Sequence, residues 1–259
     1  MLGSIIGDVV GSVYEGKNIK VKTFPLFDQR CRFTDDTVLT IAIAYSIISK
    51  ISYLDSVRMF ASKYPNSGFG AGFKIWMAQE DKRPYNSFGN GSAMRVSPIG
   101  FAFDTEEEVL AEAMASSIIT HDHPEGIKGA QATALAVFLA RSHPKEYIKQ
   151  KIESMFGYDL SRTLDEIRPE YKFEVSCQNS VPEAIICFLE SESYEDAIRN
   201  AVSLGGDTDT QAAIAGGIAE AFYGVPAKLI KEVDPYLDIT IKTLTSLFYD
   251  HIGKGDIFQ

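Results

Sequence analysis

What this 259-residue chain has little of already narrows its chemistry. Its three cysteines, Cys31, Cys177 and Cys187, are odd in number and unrelated in spacing. That excludes a disulfide frame or a cysteine zinc site and suits reduced thiols of a cytoplasmic protein. Basic residues are outnumbered, 25 against 35 acidic, and the net charge of −10 argues against nonspecific nucleic-acid binding, whose affinity comes from cationic contacts to phosphate. No apolar run approaches the length of a membrane helix. The opening MLGSIIGDVVGSVY lacks a basic leader and is interrupted by Asp8, so it does not read as a secretion signal. No linker composition divides the chain, and residues 1–259 are expected to form one domain. Strand-like alternation is nearly absent, and residues 171–177 are the one short run that shows it.

What is present centres on residues 203–224, SLGGDTDTQAAIAGGIAEAFYG. Gly205 and Gly206 permit a tight bend, and Asp207, Thr208, Asp209 and Thr210 then stand where a helix over residues 211–223 should begin. Capping the free first-turn amides accounts for one such residue. Four oxygen side chains in a row, ahead of Ile214, Ile218 and Phe222 at helical spacing, look instead like a hard-cation site beside a packed interior. A second stretch repeats the arrangement: Phe33, Thr34, Asp35, Asp36 and Thr37 precede the apolar helical run at residues 38–48. Neither acidic pair has a basic residue close behind it. If the two helix starts meet, four carboxylates repel in a partly buried cleft, and two divalent cations would cancel that cost. Oxygen-only ligands favour Mg, Mn or Ca over Zn, and two adjacent ions can polarise a substrate oxygen and generate a nucleophilic water.

Gly3, Gly7 and Gly11 recur every four residues on the first predicted helix, residues 2–14. Each costs about 1 kcal/mol relative to Ala, a cost that close packing against another helix or a ligand would offset. Glu15 continues the same stripe; on the residues alone it reads as a surface carboxylate ahead of a polar loop. Asp8 reads as a structural hydrogen-bonding residue. The glycine-rich runs SGFGAGFKIW (67–76) and NSFGNGSAMR (86–95) read as loops that present amides to a ligand. They lack the Walker lysine and follow no strand, which argues against a P-loop or Rossmann turn. His121 and His123 have no third His or Cys nearby to complete a zinc site. Further helical periods fall at residues 53–64, 106–119, 126–141, 145–156, 160–167, 181–190, 194–204, 226–232 and 237–251. The expected fold is therefore all-α, a compact orthogonal multi-helix bundle with both acidic motifs at helix N-termini facing one binuclear metal cleft.

Taken together, GDVVGSVYE (7–15), FTDDT (33–37), YNSFGNGSAMR (85–95), THDHPEGIKGA (120–130) and LGGDTDT (204–210) resemble the ADP-ribosylglycohydrolase family over nearly the whole chain. The resemblance implies a metal-dependent hydrolase that cleaves the glycosidic bond between ADP-ribose and an acceptor, either a modified protein side chain or a small conjugate. It implies that Thr34, Asp35, Asp36, Asp207, Asp209 and Thr210 hold two divalent cations, Mg2+ or Mn2+. Glu15 matches the acidic residue that reaches the scissile ribose, with Asp35 and Asp207 the next candidates for catalysis. By the same resemblance Tyr85, Asn86, Ser87, Phe88, Gly89, Asn90 and Gly91 wrap the diphosphate and inner ribose. His121 contacts phosphate or ribose, His123 is structural, and Arg95 braces the loop through a buried ion pair. Two other readings stay open at this point: a binuclear hydrolase of another nucleotide-linked or phosphoester bond, and an inactive ADP-ribose-binding relative. The acceptor is unspecified, and the loops at residues 18–30 and 67–82 are the ones expected to meet it.

Overall fold

A computed structural model describes residues 1–255 and residue 258. The chain runs through α1 (Leu2–Gly11), α2 (Asp35–Ser49), α3 (Tyr53–Lys63), α4 (Ala71–Ala78), α5 (Ser97–Ala102), α6 (Glu106–Ser117) and α7 (Pro124–Ala140). It continues through α8 (Lys145–Phe156), α9 (Leu164–Ile167), α10 (Cys177–Leu189), α11 (Tyr194–Leu204), α12 (Thr208–Tyr223), α13 (Ala227–Val233) and α14 (Ile239–His251). Among the described residues there is no strand; of the run at 171–177, residues 171–176 are non-helical chain whose only ladder contact is a bridge between Gly89 and Ser176, and Cys177 already belongs to α10. No helix among them is long and apolar enough to cross a membrane.

The organising contact is between α1 and α12, which lie antiparallel with their backbones touching. A Cβ on Gly3 would stand 2.4 Å from the Gly216 carbonyl oxygen, one on Gly7 2.1 Å from that of Ala212, and one on Gly11 2.4 Å from that of Thr208. The glycine stripe is thus a packing stripe, and the propensity it forfeits is offset by burial: every residue of α1 is buried, as is α12 from Thr208 to Glu220. Polar bonds fasten both ends of the seam. The Met1 ammonium pairs with Glu220 Oε2 at 2.6 Å, and the Thr208 hydroxyl donates to the Gly11 carbonyl at 2.8 Å.

Two segments differ from their sequence reading. Residues 71–78, read as loop, form α4, because Phe73 and Trp76 bury their rings there and outweigh the glycines. Helix α10 starts at Cys177 rather than at 181 and continues through Pro182. Its first turn is held by tertiary bonds that local propensity does not contain, Cys177 N–H to the Phe88 carbonyl at 2.9 Å and Asn90 N–H to that of Val175 at 2.7 Å.

Candidate active site

The α1–α12 seam sets the site. Its C-terminal side carries Asp8, a carboxylate only 1% exposed that reaches across to the start of α2. Asp8 accepts the Thr34 N–H at 2.8 Å, the Thr34 hydroxyl at 2.7 Å, the Thr37 N–H at 3.1 Å and the Thr37 hydroxyl. Helix α2 is therefore capped by a residue from α1 together with Thr34, which accepts the Asp36 N–H, so its own first-turn carboxylates are not used for capping. At α12, Asp207 occupies the cap position but makes no side-chain cap bond, and Asn90 Nδ2 donates to its Oδ2 at 2.8 Å.

The two acidic motifs meet. Thr210 Oγ1 donates to Asp36 Oδ2, carboxylate oxygens of Asp8, Asp36 and Asp209 lie within 4.8 Å of one another, and so do those of Glu15, Asp207 and Asp209. No lysine or arginine pairs with Asp35, Asp36, Asp207 or Asp209 among the described residues, and Asp36 Oδ1 and Asp209 Oδ1 are buried without a hydrogen-bond partner. Burial raises the carboxyls, to about 6 for Asp8 and about 7 for Asp35, and well above the usual carboxylate range for Asp36 and Asp209, with the neighbouring carboxylates adding to the rise in the last three. Burial also raises Asp207, and it raises Glu15, where Asp207 adds and Arg32 opposes. Buried anions without counter-charge are what a divalent cation would satisfy, so the donor set fits hard cations. Asp8, with four donors on it, acts as orienter of Thr34 and α2.

A cavity of about 430 Å³ opens on this cluster. Glu15, Thr34, Asp35, Asp36, Asp207, Asp209 and Thr210 line one end, and Tyr85, Ser87, Gly89, Asn90, Gly91 and His121 also line it. Asn86 and Phe88 do not. Asn86 turns the loop at φ 53° with its N–H on Asp122, and Phe88 is half exposed with its ring against His123. The glycines let the loop lie close over His121: a Cβ on Gly91 would stand a tight 3.3 Å from its Nε2, and one on Gly89 3.2 Å from Ser87 Oγ. Burial, helped by Arg95, holds the His121 ring neutral. Arg95 donates to Thr120 Oγ1 at 3.0 Å, so the Thr120 hydroxyl is free to donate to His121 Nδ1 at 2.7 Å. The Nε2 hydrogen then faces the glycine loop as a donor.

The expected ion pair of Arg95 is not there. Its guanidinium is fully buried with no ion-paired carboxylate among the described residues, and it braces the Ser116 carbonyl and Thr120 instead. The run at 67–76, read as a loop presenting itself to a ligand, does line the cavity, through Gly68, Gly70, Gly72 and Phe73. Gly68, at φ +104°, leaves room for Asp35, whose Oδ1 would sit 3.0 Å from a Cβ there. Phe173, Val175 and Arg32 line the cavity as well; no motif marks them in the sequence.

An all-helical frame whose two helix starts converge on a carboxylate cleft, beside a glycine loop over a neutral histidine, defines a glycohydrolase-type enzyme site. The chain belongs to the ADP-ribosylglycohydrolase family, whose model matches residues 1–254. The class is one of enzymes that hydrolyse ADP-ribose glycosidic linkages. The chain is 28% identical to human ADP-ribosylhydrolase ARH3 over 96% of its own length and 92% of that protein's. It is 24% identical to the ADP-ribosylarginine hydrolase Tri1 of Pseudomonas putida, over 87% of this chain and 70% of that one. Among solved structures, an ADP-ribosylglycohydrolase-related protein complex superposes with a TM-score of 0.76 at 23% identity, covering 98% of this chain and 95% of that one, and shares the fold.

Proposed function

We propose that this chain, acting as one domain, removes ADP-ribose from an acceptor by hydrolysing the bond at C1 of the terminal ribose. Thr34, Asp35, Asp36, Asp207, Asp209 and Thr210 hold two divalent cations, Mg2+ or Mn2+. The observation that carries this is the pair of buried, partnerless carboxylate oxygens, Asp36 Oδ1 and Asp209 Oδ1, in a cluster with no ion-paired base on Asp35, Asp36, Asp207 or Asp209 among the described residues. When bound, the cations neutralise that cluster and act as Lewis acids toward the ribose hydroxyls and water.

The residues of the chain supply the rest. Water adds its oxygen to C1, the C1–acceptor bond breaks, and a proton passes to the departing acceptor nitrogen or oxygen, while positive charge builds on the ribose in the transition state. Glu15 stands exposed at the carboxylate end with its carboxyl raised by burial, then by Asp207, which suits a group that takes or gives that proton. Asp35 and Asp207 are the other candidates. The Tyr85–Gly91 loop and the Nε2 hydrogen of His121 hold the diphosphate and inner ribose, with Arg95 fixing the tautomer from behind. Three buried free cysteines agree with a cytoplasmic protein.

The test is release of free ADP-ribose from ADP-ribosylated arginine and serine peptides and from O-acetyl-ADP-ribose, with Mg2+ or Mn2+ and with a chelator. Release from at least one, lost on chelation, is expected. Release that persists in chelator, or none from any substrate, overturns the reading.

A further inference from the structure

We infer that a second hollow beyond Arg32 is the acceptor subsite, and that it selects ADP-ribosylated side chains lying in an acidic stretch of peptide. This rests on the proposed function, since it assigns the other half of the same substrate.

The hollow, about 540 Å³, adjoins the carboxylate end of the first cavity: Arg32 lines both, and the Asp35 N–H donates at 2.7 Å to the carbonyl of Ser67, which lines the second. Its other walls include Phe33, Lys63, Tyr64 and Tyr236. Among the described residues no Asp or Glu lines it, in a chain of net charge −10. Neither of its two cations is held in an ion pair among the described residues, although Lys63 Nζ also lies 5.6 Å from the centre of the Tyr64 ring. Among the described residues the Arg32 guanidinium makes no ion pair, that residue's bond to Ser12 being through its backbone N–H, and Lys63 Nζ donates only to the Thr240 hydroxyl. Of the carboxylates on the adjoining α13–α14 connection, Asp234 pairs with Lys242, while Asp238 stands behind the wall, accepting the Tyr64 hydroxyl and the Ile241 N–H, and is the one negative charge that Arg32 and Lys63 outweigh.

Arg32 stands at the junction, where its charge already lowers Glu15 against the pull of burial. A neutral acceptor has no use for two cations without ion pairs there, and a basic one is repelled by them; an acceptor with one or two carboxylates matches them in sign and number. A nucleic acid does not, because a charge on every phosphate meets two cations here and then a molecule of like sign.

The experiment uses peptides of one length, ADP-ribosylated through the linkage the full chain cleaves, with acidic, neutral or lysine flanks, alongside an oligonucleotide carrying ADP-ribose. We expect kcat/KM to favour the acidic over the neutral peptide by roughly five- to tenfold at low salt, through KM, as exposed charge pairs of this kind allow. The preference should shrink in 0.5 M NaCl, about the range where exposed charges are screened. Lys63→Ala and Arg32→Ala should each reduce the ratio, and the double variant should bring it to about one, with cooperative unfolding retained in all. Equal kcat/KM for the acidic and neutral peptides, a preference that survives the double variant, or faster cleavage of the oligonucleotide overturns the subsite. Failure of the folded, metal-supplied protein to release ADP-ribose from any of them instead defeats the proposed function on which the subsite rests.

Discussion

Thr210 Oγ1 donates a hydrogen bond to Asp36 Oδ2 at 3.3 Å, across 174 residues of chain. One hydroxyl thus joins the two acidic motifs directly, and the carboxylates around it are left facing one another with no cation from the protein. Their behaviour follows from that.

Asp36→Asn and Asp209→Asn should each remove cation-induced stabilisation and lower turnover at least about a hundredfold, since each deletes a charged ligand. In chelator the same variants should melt higher than the native chain, by about 2–4 °C for each kcal/mol of repulsion relieved. Scanning calorimetry with Mn2+ and with EDTA reads both signs at once. A variant that melts lower in EDTA would mean the carboxylates are satisfied by the protein itself.

The pH dependence has a definite direction. Burial pushes Asp8 up to about 6 and Asp35 to about 7 in the fold, against about 3.9 for an exposed aspartate, and raises Asp36 and Asp209 well above the usual carboxylate range. Below the lower value these groups are protonated in both states and cost nothing. As pH rises through the folded values the unfolded chain has already released its protons, and the metal-free fold loses stability. The melting-temperature gain on adding Mn2+ should therefore widen between about pH 5 and pH 8. A gain that stays flat over that window refutes the assignment.

Gly7→Ala should destabilise by about 1–3 kcal/mol or prevent folding, because its methyl would lie 2.1 Å from the Ala212 carbonyl. Gly70→Ala, with nothing within 4 Å of the added carbon, should be close to neutral. Urea unfolding of the pair separates the blocked position from the open one, Gly70 being the N-cap of α4, where alanine forfeits at most a modest capping preference.

Asp8→Asn should cost about 2 kcal/mol, as an amide cannot accept from two N–H groups and two hydroxyls together. Cation affinity should fall roughly ten- to a hundredfold through misplacement of Thr34 and α2, which titration calorimetry with Mn2+ measures. Unchanged affinity would restrict Asp8 to stability.

Glu15→Gln should lower kcat roughly a hundredfold or more while ADP-ribose binding holds, which separates proton transfer from placement of the sugar. Equal losses in both would give Glu15 a binding role.

Much of this was legible in the sequence. Period and capping residues located most helices, as at α8 and α11, whose ends match the reading residue for residue. The meeting of the acidic motifs was legible because uncompensated carboxylates at two helix starts demand a shared explanation. What the sequence withheld was tertiary. Helix α4 depends on where Phe73 and Trp76 find a core, and the first turn of α10 on the carbonyl of Phe88. Arg95 appeared to need a carboxylate; its charge is instead carried by a carbonyl and a hydroxyl, which no local pattern announces. Asn86 and Phe88 belong to the loop motif but shape its turn and outer face rather than the cavity wall.

Because α1 and α12 meet main chain to main chain, nothing between them can be repacked, and the spacing of the acidic pairs is inherited from the dimensions of the polypeptide itself. The border formed by Arg32, Lys63 and Tyr236 carries no such restriction. New acceptor preferences are therefore to be sought by rewriting that border, with the catalytic half kept as a fixed chassis for grafted loops.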